Sequence, residues 1–149
     1  MPWLLDTNIL IRLTNQGDAH HAVASQAVTT LHARGELLHL TPQTLVEFRA
    51  VATRPPNVNG LGLLPAEASR RAAIYEAMFP LLDETPAIYP AWRAVADAVG
   101  VIGKQVHDAR LVAVCHAHAV THLLTFNVAH FTRTAAEPPG VVVVHPANV

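Results

Sequence analysis

The sequence predicts an α/β domain, a mostly parallel sheet with helices on both faces. Three observations carry this: short continuous apolar runs, stretches of helical periodicity between them, and Gly or Pro at the joins. Strands covered on both faces read as unbroken apolar runs, because neither face meets water.

Each element follows in order. Pro2 to Asp6 reads as a first strand, and the helix after it sets Ile9, Leu10 and Leu13 on one side before Asn15-Gln16-Gly17 stops it. A helix over about Ala19 to Arg34 spaces Val23, Ala27 and Leu31 four apart and ends at Gly35. Leu37-Leu38-His39-Leu40 is a buried strand. Thr41-Pro42 then caps a helix whose stripe is Leu45, Phe48 and Ala52, and Pro55-Pro56 ends it. Asn57 to Gly62 is a loop, and Pro65 starts a helix that Pro80 must end. Pro90 to Val99 stacks Trp92, Val95, Ala96 and Val99, with Gly100 beyond. Asp108 to Ala119 is apolar nearly all round, as a buried helix would be. His122 to Thr125 and Val141 to Val144 are further strands, and Ala87-Ile88-Tyr89 is a candidate for one more.

A chain of 149 residues, 51% hydrophobic and 14% charged, with mean hydropathy +0.27, is expected to fold as a single domain over 1–149. No apolar run approaches the roughly 18 residues of a membrane span, and no secretory leader pattern opens the chain, so the expected location is cytoplasmic. The lone Cys115 lies in an apolar helical stretch, where it reads as a small core residue. Ten Lys and Arg against eleven Asp and Glu give a net charge of −1, so any phosphate contacts must come from a local set such as Arg12, Arg49, Arg54, Lys104 and Arg110.

In parallel folds, strand C-termini and helix N-termini share one edge of the sheet, where ligands bind. Asp6 ends a strand, Asp108 begins a helix, Glu47 lies in the early turns of the helix after the second strand, and Asn127 follows the strand ending at Thr125. All four map to that edge. Each acid alone has a plainer use: Asp6 and Asp108 as helix caps, Glu47 as a surface acid. Together they conflict, because two carboxylates about 4 Å apart repel by roughly 4 kcal/mol at an effective dielectric near 20. A divalent cation removes the conflict, and oxygen ligands select a hard one, Mg²⁺ or Mn²⁺.

Four segments carry a family resemblance: Leu4-Leu5-Asp6-Thr7-Asn8-Ile9-Leu10, Pro42-Gln43-Thr44-Leu45-Val46-Glu47-Phe48, Val106-His107-Asp108-Ala109-Arg110-Leu111 and Leu123-Leu124-Thr125-Phe126-Asn127. From about Pro2 to Pro146 the chain resembles the PIN-domain ribonucleases, and most closely the VapC toxins of toxin–antitoxin pairs. The resemblance implies a PIN-like three-layer α/β/α fold with a five-stranded parallel sheet. It also implies an endoribonuclease dependent on Mg²⁺ or Mn²⁺, a homodimer, and an antitoxin partner covering the cleft. By position, Asp6, Glu47 and Asp108 would bind metal, while Asn8 and Thr125 would orient ligands. The fourth acidic position falls on Asn127, which supplies no charge, so a second metal is expected to bind weakly or only with RNA. His130 stands where many relatives place another acid. Arg12, Arg49, Arg54 and Lys104 are the expected holders of the RNA backbone.

Three other readings remain open on the residues. Ten histidines allow a metal-free ribonuclease using a histidine acid/base pair, though only His107 maps near the edge. A phosphoacceptor domain shares an Asp at a strand end, but Asn8 stands where a dehalogenase-like site has its second Asp. Asn127 favours a third reading, a PIN-fold module that binds RNA or a partner without cutting. Zinc through Cys115, His116 and His118 is disfavoured, since their spacing does not bring all three to one side of a helix.

Overall fold

The computed structural model describes residues 1–149. Four strands, β1 (Pro2–Leu5), β2 (Leu37–His39), β3 (His122–Leu124) and β4 (Val142–Val144), form one parallel sheet in the order β2-β1-β3-β4. β1 lies inside the sheet, with Trp3 opposite both Leu38 and His122 and Leu4 opposite Leu123. Successive side chains of a strand point to opposite faces. Trp3 and Leu5 therefore join one core with Ile9, Leu10, Leu31, Phe48 and Phe79, while Leu4 joins a second with Leu111, Val112, Cys115, Leu123 and Phe131.

Helices α1 (Thr7–Thr14), α2 (His21–Ala33), α3 (Pro42–Thr53) and α4 (Pro65–Met78) supply the first core. Helices α5 (Ile88–Val99), α6 (Gln105–Ala117) and α7 (Val128–Ala135) supply the second. The result is the expected α/β/α layering. No helix is long and apolar enough to cross a membrane.

The fifth strand is the point of departure. Ala87-Ile88-Tyr89 is not extended: Ala87 is the αR cap of α5, and Ile88 turns inward as a buried helical residue beside Ala113 and Val114. What adjoins β2 is a single parallel rung in which Leu40 N–H donates to the Pro80 carbonyl (3.2 Å) and Leu82 N–H to the Leu40 carbonyl (2.8 Å). Pro80 has no N–H to continue the ladder, and the following Asp83-Glu84-Thr85-Pro86 offers nothing to bury. Helix α7 was not anticipated at all. Helix α6 starts three residues before Asp108, which sits in its first turn and is not its cap.

Two junctions bear directly on the site. Thr41 and Thr44 exchange side-chain bonds to each other's backbone N–H, both 3.1 Å, a capping box that fixes the start of α3. At its other end the loop Asn59–Gly62 folds back on the last turn, with Leu61 N–H donating to the Val51 carbonyl (3.2 Å) and Gly62 N–H to that of Arg54 (2.8 Å). Cys115 is fully buried in α6, and burial pushes its thiol up to about 12.

Candidate active site

Asp6 is the first residue past β1. Its N–H still bonds the Leu124 carbonyl (3.0 Å), so the ladder runs one rung further and delivers the carboxyl at the C-terminal edge of the sheet. The side chain caps α1, as the plainer reading held, with Oδ1 accepting from Thr7 N–H at 2.7 Å. Its other oxygen, Oδ2, accepts from the Thr125 hydroxyl (2.7 Å) and from Asn8 Nδ2 (3.0 Å). Asn8 also donates to Thr125 Oγ1 (3.0 Å) and accepts from Phe126 N–H (3.1 Å), tying the end of β3 to the start of α1. Thr125 is fully buried, so it acts on the site through Asp6.

Burial is the main cause that pushes the Asp6 carboxyl up, to about 6 from an ordinary 3.8. Hydrogen bonds from Thr125 and Thr7 pull it down, and the charges of Asp108 and Glu47 push it further up. Asp108 is likewise raised, first by burial and also by Glu47, against the pull of His130 and Lys104. The His130 ring lies beside it, with Nδ1 3.8 Å from Oδ2. Glu47 is held by two residues from opposite sides: Thr7 Oγ1 donates to Oε2 and Gln43 Nε2 to Oε1, both at 2.9 Å. Thr7 thus grips both Asp6 and Glu47.

The three acids, Asn8 and Asn127 all line one open cleft of about 1020 Å³. Arg12, Arg54 and Lys104 line it as expected, joined by Arg110, His107 and His130. Arg49 does not; it reaches away to Ser69 Oγ at 3.0 Å. The Asn59–Leu61 loop forms part of the wall. Thr7 and Gln43 were absent from the expected site, and Arg110 was expected only as one of a local set of phosphate contacts. A hydroxyl or amide one turn away on the same helix face was the available signal for Gln43 and Glu47, four residues apart.

The acids do not close on one point: no three His, Cys, Asp or Glu side chains gather tightly enough to enclose an ion by themselves. That holds for Cys115, His116 and His118 too. Yet the donor set suits a hard cation, being all oxygen, partly uncompensated at Asp6 and open to solvent. Mg²⁺ usually keeps several waters and takes only one or two carboxylates, so an open arrangement fits it better than a closed cage would.

The Thr125 contact can be tested without any ligand. Thr125→Val removes a donor to Asp6 and is expected to cost about 1–3 kcal/mol at pH 7.5 in urea unfolding, with a smaller loss at pH 4.5, where Asp6 is protonated. Equal losses at the two pH values would show that the hydroxyl does not serve the carboxylate.

A parallel sheet with a carboxylate cleft at its C-terminal edge defines the class. The PIN domain family model matches residues 3–137, and the chain belongs to the PIN-domain family. Similar solved structures include VapBC-1 from nontypeable Haemophilus influenzae, with TM-score 0.71, 17% identity and 98% of each chain covered. DNA-bound VapBC from Salmonella typhimurium matches with TM-score 0.71 and 15% identity over 98% of each chain. FitAcB from Neisseria gonorrhoeae matches with TM-score 0.61 and 19% identity over 99% of each. Among curated proteins no match was found.

Proposed function

We propose that this chain is a Mg²⁺- or Mn²⁺-dependent endoribonuclease of the VapC type, the toxin of a toxin–antitoxin pair. The carrying observation is the meeting of Asp6, Glu47 and Asp108 in one open cleft whose walls also present Arg12, Arg54, Lys104 and Arg110. Asp6, Glu47 and Asp108 would hold the ion, which when bound neutralises charge at the phosphodiester and acidifies water. Asn8 and Thr125 keep the Asp6 carboxylate fixed, and Thr7 does the same for Glu47. The basic walls hold the phosphate backbone on either side. Asn127 brings no charge, so one ion per chain is the expected stoichiometry without RNA. A further similar solved structure, with TM-score 0.64 and 21% identity over 98% of each chain, is a toxin–antitoxin complex from Klebsiella pneumoniae, which supports an antitoxin partner; pairing as a homodimer belongs to the same reading.

The deciding assay is RNA cleavage with Mn²⁺ and with EDTA. Cleavage lost in EDTA, leaving 5′-phosphate and 3′-hydroxyl ends, supports the reading. Cleavage that persists in EDTA and leaves cyclic phosphates would overturn it in favour of a metal-free histidine mechanism. That second reading has one observation behind it, since His107 and His130 both line the cleft. RNA binding with no cleavage in Mn²⁺ would instead point to a binding module.

The walls are tested separately. Replacing Arg12, Arg54 and Lys104 together by Ala should weaken RNA binding and lower its slope against log salt by about 0.7 for each lost phosphate contact. Arg49→Ala should change neither, and an equal effect from Arg49 would refute the cleft as the binding surface.

A further inference from the structure

We infer that Gln43 is a positioning residue for Glu47, and that Arg110 and Glu84 act on the site by holding Gln43 in place; this rests on the metal-dependent reading above. One amide carries three hydrogen bonds. Gln43 Nε2 donates to Glu47 Oε1 and to the His107 backbone carbonyl, each at 2.9 Å, while its Oε1 accepts from Arg110 Nη1 at 3.1 Å. Arg110 in turn forks onto Glu84, with Nη2 2.6 Å from Oε2 and Nη1 3.3 Å from Oε1.

The chemistry fixes which way the amide faces. Turned over, its oxygen would confront a carboxylate and a carbonyl, and its NH₂ would confront a guanidinium, so all three bonds would be lost at once. Gln43 is therefore locked as a donor towards Glu47. It also spans two helices, because Glu47 lies on α3 whereas His107 and Arg110 lie on α6, the helix of Asp108. The distance between the Glu47 and Asp108 carboxylates consequently depends on this one side chain. Nothing else bonded to Glu47 reaches α6, since its other partner is Thr7 on α1.

Glu84 gives Arg110 a bidentate carboxylate partner at the rim, both groups being partly exposed. The pair contributes little to stability at such exposure. Its role here is directional, because an Arg free to swing would leave Gln43 Oε1 without a donor and let the amide rotate.

The test uses Mn²⁺ titration of the RNA-free protein by calorimetry, alongside cleavage rates, for Gln43→Met, Arg110→Met, the double variant and Glu47→Gln. Methionine keeps the length and bulk of glutamine without its bonds. Gln43→Met should weaken Mn²⁺ binding roughly 10–100-fold, the range for partners of metal ligands, with an unchanged circular dichroism spectrum. Arg110→Met should weaken it less, and the double variant no more than Gln43→Met alone, because Arg110 works through Gln43. If Gln43→Met binds Mn²⁺ as wild type does while Glu47→Gln loses it, the positioning role is refuted and the metal site stands. If Glu47→Gln keeps wild-type affinity and cleavage, Glu47 holds no ion and this inference is refuted, while loss of cleavage in EDTA would show whether the metal-dependent reading stands without it. Additive losses in the double variant would refute the route from Arg110 through Gln43.

Discussion

Asp6→Asn should abolish Mn²⁺-dependent cleavage by at least about 100-fold, more than the loss of a mere partner of a ligand, and should also change how stability depends on pH. In the metal-free protein the Asp6 carboxyl is raised from 3.8 to about 6 by burial before any other cause. A group raised on folding favours the protonated folded state. Its contribution is fully present below pH 4, is lost as pH rises through about 6, and above that leaves a charged group in a poorly compensating site. Two units correspond to about 3 kcal/mol. The asparagine variant has no such titration. Its stability relative to wild type should therefore rise by about 3 kcal/mol between pH 3.5 and pH 7.5 in metal-free urea unfolding. Wild-type and variant curves that stay parallel across that interval would show that the carboxyl is not strained.

A saturating ion reverses the balance in the wild type alone. Binding to the folded state adds about 2.7 kcal/mol at one hundred times the dissociation constant. Mn²⁺ should thus stabilise the wild type and leave Asp6→Asn largely unmoved, a readout independent of RNA.

The other large effect belongs to Gly60. A Cβ there would lie 1.8 Å from the Arg54 carbonyl oxygen and 2.2 Å from its carbon, both backbone atoms that cannot swing aside. Gly60→Ala must therefore displace either the loop or the end of α3. The loss should reach about 3 kcal/mol or more, at the upper end of overpacking costs. Gly35→Ala supplies the comparison: nothing lies within 4 Å, and only the left-handed φ of 76° penalises a side chain. That costs about 1–2 kcal/mol. Because the Asn59–Leu61 loop and Arg54 both line the cleft, Gly60→Ala should also weaken RNA binding, whereas Gly35→Ala should not. Similar unfolding midpoints for the two variants would contradict the close approach.

The elements most legible in the sequence were those whose side chains have only one way to be buried. Trp3-Leu4-Leu5 is apolar on both faces and proved to be an interior strand; Thr41-Pro42 is a strong cap and starts α3 where expected. Ala87-Ile88-Tyr89 misled because two β-prone residues, Ile88 and Tyr89, fit a strand or a helix start equally well, and burial of Ile88 against α6 decides the matter only in three dimensions. Helix α7 was overlooked for a related reason: its buried residues, Phe131, Thr134 and Ala135, sit among polar ones in only eight residues. At the cleft, the acids could be mapped to one edge from strand and helix order alone. The roles of Thr7 and Gln43, and the contact of Arg110 with Gln43, could not, because they lie in pairings that only the fold brings together. Arg49 failed for the opposite reason, since its position on α3 says nothing of which way a long side chain leans.

One buried atom turns this molecule into its own reporter. The thiolate is the form that attacks a disulfide reagent, and at Cys115 burial disfavours that form while also shielding the sulfur from solvent. Modification in native buffer can proceed only when the helix bearing Asp108 and Arg110 comes away from the sheet. The labelling rate would therefore clock that opening without any engineered probe, and any ligand that binds the closed form alone would slow the clock.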